Sequence, residues 1–388
     1  MSRVTIGELC AAGVLQIGDG YRTKRSEHAQ HGYRIIRVAD VMDGAVSFTG
    51  PDFVSEKYAK GIGTKAGKRG DILLTTKGTV GRVAVLPDTN EQVVYSPQLC
   101  FFRVLDAEVL DPAFLRYWFS GAEFWHQAAD RMNNTDMAAY INLADIRSLK
   151  LTVPDISEQR SIAEVLGALD DKIAGNTKLV SLIDAHMSLE YKATVLDSAS
   201  ALPLNEVAEF HNRRRVPLSA RERERRRGDV PYYGASGVFG TVDTAIFDEP
   251  LVLVGEDGSV INGDGTPVTQ YIWGPAWVNN HAHVLTGKGM STELLFLAIR
   301  RTQVATLVTG AVQPKINMGN LKRLTLEIPS VDRRGRLEQI VKAEAASKRA
   351  AIEEGRTLAA TRDALLPQLM SGKLRVKDAE KVLENAGV

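Results

Sequence analysis

The feature that most constrains this chain is an internal repeat. Residues 141–154, INLADIRSLKLTVP, align without gaps on residues 316–329, INMGNLKRLTLEIP, 175 positions later. Ile141/Ile316, Asn142/Asn317, Leu149/Leu324, Leu151/Leu326 and Pro154/Pro329 are identical, and Ile146/Leu321, Arg147/Lys322 and Val153/Ile328 are conservative. Upstream, Lys77-Gly78-Thr79-Val80 matches Asp257-Gly258-Ser259-Val260 at a similar offset. Each copy follows a run of short β-type segments and precedes a long charged helical stretch. Self-similarity in matching contexts means one unit built twice. The 388 residues therefore read globule, helix, globule, helix.

The boundaries fall at 1–155 for the first globule, 156–200 for the first long helix, 201–330 for the second globule, and 331–388 for the second long helix with a C-terminal tail. In the first globule, Arg34–Val38 and Ala45–Phe48 flank Asp43-Gly44, a hairpin-turn dipeptide. Asp71–Thr75 and Arg82–Leu86 read as further strands, and Phe114–Trp125 as a helix. In the second globule, Leu251–Val254 and Val278–Leu285 read as strands and Thr292–Thr302 as a helix.

The first long helix shows Ile162, Leu166, Leu169, Ile173, Asn176, Val180, Ile183 and Met187 in steps of four and three, an apolar heptad seam. Its one polar member, Asn176, is of the kind that fixes register. The second helix, about Asp332 to Leu366 and ending before Pro367, has a weaker seam of Leu337, Glu344, Ala351, Leu358 and Leu365. Each helix is expected to run about 35 residues, roughly 50 Å. The fold class is α+β. Two β-rich mixed domains are separated by two long helices packed as an antiparallel coiled coil, with an approximate twofold relation and a globule at each end of a rod.

Composition excludes several classes. Lys and Arg total 48 against 47 acids, a net charge of +1, so any nucleic-acid face is local. Two cysteines, Cys10 and Cys100, cannot build a disulfide framework or a four-cysteine zinc site. Glu8 and the glycines at 13, 18 and 20 leave no signal-peptide core, and no run approaches the ~18 apolar residues of a membrane span. A soluble, cytoplasmic protein is expected.

The stretch 157–178, SEQRSIAEVLGALDDKIAGNTK, resembles the first central helix of the specificity subunits of type I restriction–modification systems, through Glu158-Gln159-Arg160, Ile162-Ala163, Leu166, Leu169-Asp170-Asp171-Lys172-Ile173 and Asn176. Leu365-Leu366-Pro367-Gln368-Leu369-Met370-Ser371-Gly372-Lys373-Leu374 is similar to the end of that family's second helix. Trp277–Leu285 and Gly310–Ile316 are similar to its second target-recognition domain. The resemblance covers essentially the whole chain, the helix motifs being the more specific. It implies a subunit without catalytic residues, in which each globule reads half of a split double-stranded DNA target. It further implies that the helices space the halves and dock two methyltransferase subunits, which bring S-adenosylmethionine, and that motor–nuclease subunits join for restriction. One departure stands out. The counterpart of Gly310-Ala311-Val312-Gln313-Pro314 is Thr135-Asp136-Met137-Ala138-Ala139, so that loop's role does not carry over to the first half.

Two other classes of protein compete with this reading. A self-contained DNA-modifying enzyme would need a Pro-Pro-aromatic methyltransferase motif or a phosphate-binding GxxxxGK[ST] loop, and the sequence has neither. Pro154-Asp155 with Glu190-Tyr191-Lys192 imitates a nuclease pattern, but Glu190 and Lys192 lie on a helix, about 200° apart. A coiled-coil scaffold without DNA specificity would need no basic loops. His281 and His283 alternate on an expected strand, yet no third ligand lies nearby, so no metal site is assigned. The glycines of 255–265 read as turns, because Glu249, Glu256, Asp257 and Asp264 would repel a phosphate.

The DNA candidates are basic or amide side chains in loops, suited to phosphates and base edges. In the first half they are Arg22, Lys24, Arg25, Lys57, Lys60, Lys65, Lys68, Arg69 and Lys77. In the second they are Arg213, Arg214, Arg215, Arg221 and Arg223, then Asn280, His281, Gln313 and Lys315. Residues 213–227 alone hold eight arginines. The helix seam and partner-docking candidates are Ile162, Leu166, Leu169, Ile173, Asn176, Val180, Ile183, Leu358 and Leu365.

Overall fold

A computed structural model describes residues 2–132, 139–310 and 312–387. They fall into two units, Met1–Ala174 with Gly355–Val388, and Gly175–Glu354. The strands of the first unit are β1 (Ser2–Thr5), β2 (Leu15–Asp19), β3 (His28–Ala29), β4 (Tyr33–Ile36), β5 (Val41–Met42), β6 (Ala45–Val46), β7 (Phe53–Val54), β8 (Ile72–Thr75), β9 (Val83–Val85), β10 (Val93–Tyr95), β11 (Leu99–Val104) and β12 (Lys150–Val153). Its short helices are α1 (Ile6–Ala11), α2 (Ala59–Ile62), α3 (Pro112–Ser120), α4 (Ala122–Arg131) and α5 (Leu143–Ser148).

β2-β11-β8-β9 make an antiparallel sheet, and β10-β4-β7-β3 make a second sheet in which β10 and β4 run parallel. β8 is apolar on both faces because both are covered. Ile72 and Leu74 enter a core shared with α3, whereas Leu73 enters another with Tyr95 and Phe101. The expected strand pair around Gly78 is β8–β9. Asp43-Gly44 does turn a hairpin, but its arms are β5 and β6; residues 34–36 pair instead with the distant β10. The expected helix Phe114–Trp125 is two helices, broken at Gly121, where the chain becomes extended.

The second unit repeats this plan with β13 (Ala199–Pro203), β14 (Ala208–Phe210), β15 (Val230–Tyr233), β16 (Val238–Val242), β17 (Phe247–Asp248), β18 (Leu251–Gly255), β19 (Thr269–Ile272), β20 (Pro275–Val278), β21 (Ala282–Gly287) and β22 (Thr325–Pro329). The order β14-β21-β18-β19 copies β2-β11-β8-β9, β13–β22 copies β1–β12, and β15 and β20 run parallel as β4 and β10 do. The expected strand Val278–Leu285 is interrupted, because residues 279–281 turn the chain between β20 and β21.

Two long helices complete the fold: α6 (Ile156–Asp197), followed in the second unit by α7 (Leu204–Val207), α8 (Ala220–Arg225), α9 (Thr292–Ile299) and α10 (Met318–Lys322), and then α11 (Val331–Met370) and α12 (Val376–Ala386). α6 and α11 have 42 and 40 residues, longer than expected. Each unit holds one half of each helix. Their pairings run antiparallel: Asp170 with Arg362 in the first unit, and Asn176 with Glu354, Asp184 with Lys348 and Asp197 with Arg333 in the second. Ile162, Leu166 and Leu169 share a core with Leu358, Leu365 and Leu369, while Ile183 and Met187 share one with Leu337 and Val341. Ile173 and Val180 are half-buried, and Asn176 is buried, its amide donating to Glu354 Oε2 at 2.8 Å. α11 does not stop at Pro367. Burial of Leu369 holds the last turn, and the Pro367 carbonyl still accepts from Ser371 N at 3.2 Å.

Candidate nucleic-acid interface

The same loop cluster is built in both domains, and backbone hydrogen bonds build it. In the first, Thr76 N donates to Gln98 O at 2.9 Å, Gly78 N to Ala139 O at 3.2 Å and Ile141 N to Thr76 O at 3.0 Å. In the second, Glu256 N donates to His281 O at 2.8 Å, Gly258 N to Pro314 O at 3.0 Å and Ile316 N to Glu256 O at 2.9 Å. Lys77 bridges Tyr140 as Asp257 bridges Lys315. Beside each cluster, the segment leaving β2 or β14 carries basic residues: Arg22, Lys24 and Arg25, or Arg213, Arg214 and Arg215. The sequence repeat thus marks a repeat of the loop frame.

Within that frame the candidates divide. Arg22, Lys24, Arg25, Lys57, Lys60, Lys68 and Lys77 are exposed, Lys57 lying over the Tyr58 ring. Lys65 is committed internally, to Asp19 at 2.7 Å and Gly20 O at 2.9 Å. Arg69 pairs with Asp88 at 3.2 Å on the surface. The loop that carries these residues is tied down by a buried pair. Arg103 donates to both Asp71 oxygens at 2.7 Å and to Ala66 O at 2.9 Å, while Asp71 Oδ2 also accepts from Tyr95 Oη at 2.7 Å and Lys68 N at 2.8 Å.

In the second domain the arginine triplet sits on a 3-10 turn, Asn212–Arg214, which sends successive side chains in different directions. Arg213 is exposed. Arg214 stacks 4.2 Å over Phe247 and pairs with Glu249 at 2.7 Å. Arg215 is drawn inside, to Glu256 at 2.6 Å and Ala282 O at 2.7 Å, which removes it from the exposed set. α8 starts with a Ser219–Glu222 capping box, so Glu222 serves the helix end rather than an arginine. Arg223 lies 5.0 Å over Tyr232, and Arg226 lies 4.6 Å over Trp277 and pairs with Asp243 at 3.0 Å. The side chains of Arg213, Arg221, Arg225 and Arg227 are exposed, and no side-chain hydrogen bond or ion pair ties them to another described residue.

His281 and Lys315 come together on Asp257 and Glu256, with Asn280 and Gln313 nearby in the same two loops, and all four are exposed. His281 donates to Asp257, and Lys315 reaches Glu256 at 4.0 Å, so the acids of this loop have partners within it. The two histidines do not share a strand face as expected: His281 precedes β21, and His283 is fully buried. His283 Nε2 donates to Ile316 O and Nδ1 accepts from Asn212 Nδ2, both at 2.8 Å. Burial holds its pKa below the ordinary 6.5, so it stays neutral. Of the loop pair that distinguishes the two halves, residues 135–138 and Ala311 lie outside the described residues.

Residues 3–184 and 201–344 match the family profile described as type I restriction modification DNA specificity domain. The chain belongs to this family. A Haemophilus influenzae chain assigned as a type I restriction enzyme specificity subunit is 28% identical over 142 residues, 36% of each chain. The type I restriction enzyme MjaVIII specificity subunit of Methanocaldococcus jannaschii is 25% identical over 164 residues, 41% of this chain and 38% of that one. The matched stretches thus span little more than a third of these two curated relatives. The S subunit of a type I restriction–modification system from M. genitalium shares the fold, with a TM-score of 0.61 over 95% of both chains at 16% identity.

Sequence reading missed two features. Leu179, Leu182, Leu189 and Leu196 form an exposed stripe on α6, with a seven-residue step from 182 to 196. The seven-residue spacing was the available signal, overshadowed by the stronger buried seam. The second is Gln98, the positional counterpart of His281 in the loop frame.

Proposed function

We propose that the chain is the specificity subunit of a type I restriction–modification complex, each domain reading one half of a split double-stranded DNA target. Two methyltransferase subunits dock on α6 and α11 and bring S-adenosylmethionine, and motor–nuclease subunits join for restriction. The chain itself contributes recognition, carries no catalytic residue or cofactor, and works in the cytoplasm. Among the described residues no helix is long and apolar enough to cross a membrane.

One observation carries this reading. Each domain exposes basic side chains at the same place in the same frame, after β2 or β14 and beside the loop entering β11 or β21. Arginines and lysines there suit phosphates and position a protein on DNA, while loop amides suit base edges. The leucine stripe of α6 supports helical docking, since an apolar heptad step is what a partner helix packs against.

The test is to co-express the chain with its methyltransferase subunit and map the methylated sites. Exchanging residues 201–330 with those of a relative should change one half of the target only. If both halves change together, the two-reader account fails. Methyl transfer by the isolated chain would overturn its non-catalytic role.

A further inference from the structure

The first domain holds a cleft of about 480 Å³ whose lining includes Tyr21, Arg22, His28, Arg37, Ser96 and Gln98 and no acidic residue. Gly20 makes it possible. Tyr21 N donates to Tyr95 O at 2.7 Å, and a Cβ on Gly20 would lie 2.1 Å from the carbonyls of Tyr95 and Ser96. Only glycine lets the segment carrying Arg22 lie this close to the loop 96–98.

Two side chains of that loop lack partners among the described residues. Ser96 is 6% exposed, and among the described residues its Oγ finds no hydrogen-bond partner. Leaving a buried hydroxyl unpaired is unfavourable, and such groups call for an explanation. Gln98 is exposed, and its amide makes no hydrogen bond with another described residue.

The second domain shows what the same place looks like when filled from within. There the loop is residues 279–281, and Arg215, from the segment equivalent to that of Arg22, donates to the carbonyls of Asn280 and Ala282 and to Glu256. The first domain has Thr76 where the second has Glu256, so its arginine faces no equivalent acid and the cleft stays open.

We propose that this cleft is the base-reading pocket of the first domain, in which Gln98 meets one base edge in the DNA major groove and Arg22 holds the adjoining phosphate. The inference rests on the reading of the chain as a DNA specificity subunit. A glutamine amide matches the N6/N7 pair of adenine, and such a contact discriminates against a wrong base by about 5–150-fold.

The test uses the complex of the full chain with its methyltransferase subunit. Binding is measured to the mapped target and to duplexes changed singly at each position of the half read by the first domain. Gln98→Ala should abolish discrimination at one position and preserve it elsewhere. Arg22→Ala should weaken binding to all these duplexes alike and lower the log–log salt slope by about 0.9. Unchanged discrimination at every position in Gln98→Ala, with wild-type preference intact, overturns the pocket alone. Absence of any sequence preference in the wild-type complex overturns the specificity-subunit reading beneath it.

Discussion

Replacing Arg103 with methionine should destabilise the first unit severely. Asp71 is fully buried and the Arg103 side chain is 9% exposed, so the pair lies out of water. Methionine fills much of the arginine's volume but leaves the Asp71 carboxylate with only Tyr95 Oη and Lys68 N as donors. Stranding a buried charge in this way costs about 3–5 kcal/mol. At roughly 2–4 °C per kcal/mol for a unit of this size, Tm should fall by about 6–20 °C. Adding Asp71→Asn removes the stranded charge while an amide oxygen still accepts from Tyr95 and Lys68. The double variant should therefore recover at least ~1 kcal/mol of the loss. Urea unfolding followed by circular dichroism gives the energies, and hydrogen exchange at Ile72–Thr75 assigns the loss to this unit. A loss below about 1 kcal/mol, the value of an exposed pair, would refute the argument. So would a double variant weaker than the single one. Because Arg103 also donates to Ala66 O, and Asp71 accepts from Lys68 N, the same change should raise exchange in the loop carrying Lys68 and Arg69.

Four further outcomes are expected. His283 is neutral when folded, and the unfolded chain binds its proton below about 6.5, so this contribution to stability is complete above that pH and declines as pH falls. The urea midpoint of the second unit should drop from pH 6.5 to 5 more steeply in the wild type than in His283→Gln, and equal slopes would refute this. Burial opposes ionisation of Asp170, but Arg362, Tyr117 and Arg116 outweigh it and hold the carboxyl below its ordinary 3.8. Its stabilisation should be present above that pH and lost as pH falls through the folded value, a loss that Asp170→Asn should lack in acid titrations. Alanine at Arg213, Arg221, Arg225 and Arg227 together should lower the salt slope of DNA binding by about 0.9 for each phosphate contact removed, and an unchanged slope would take these residues off the DNA. Leu189→Glu with Leu196→Glu, both at exposed positions, should leave stability within about 0.5 kcal/mol yet prevent co-purification with the methyltransferase subunit.

Much of the fold could be read from local signals. β8 and β18 were visible because strands covered on both faces have uninterrupted apolar runs. The antiparallel helix pair followed from the heptad steps of α6 and from chain connectivity. What escaped was set by distant partners. Residues 34–36 sit beside a turn dipeptide yet join β10, nearly sixty positions on, as Arg34 pairs with Val93. Lys65 and Arg215 looked no different from their exposed neighbours. Each is drawn inward by an acid more than forty residues away, Asp19 and Glu256 respectively. No composition rule distinguishes a basic side chain with such a partner from one without.

The repeat explains why the frame was legible and the reading residues were not. The contacts that the two loop clusters share are backbone to backbone, from Thr76 or Glu256 to Gln98 or His281, and from Ile141 or Ile316 back again. Such bonds place no demand on side chains, so Thr76 can stand opposite Glu256, Gln98 opposite His281 and Cys100 opposite His283 without disturbing the fold. The apolar residues that pack beneath, Ile141/Ile316 and Leu151/Leu326, have no such freedom, since a changed volume in a close-packed core costs stability directly. Sequence identity between the halves therefore concentrates where packing, a helix cap or a turn fixes the residue, and thins among the side chains that the loops expose. That is the division the physics favours: one scaffold kept by its core, and two loop surfaces free to differ because the bonds they have in common are made by main-chain atoms.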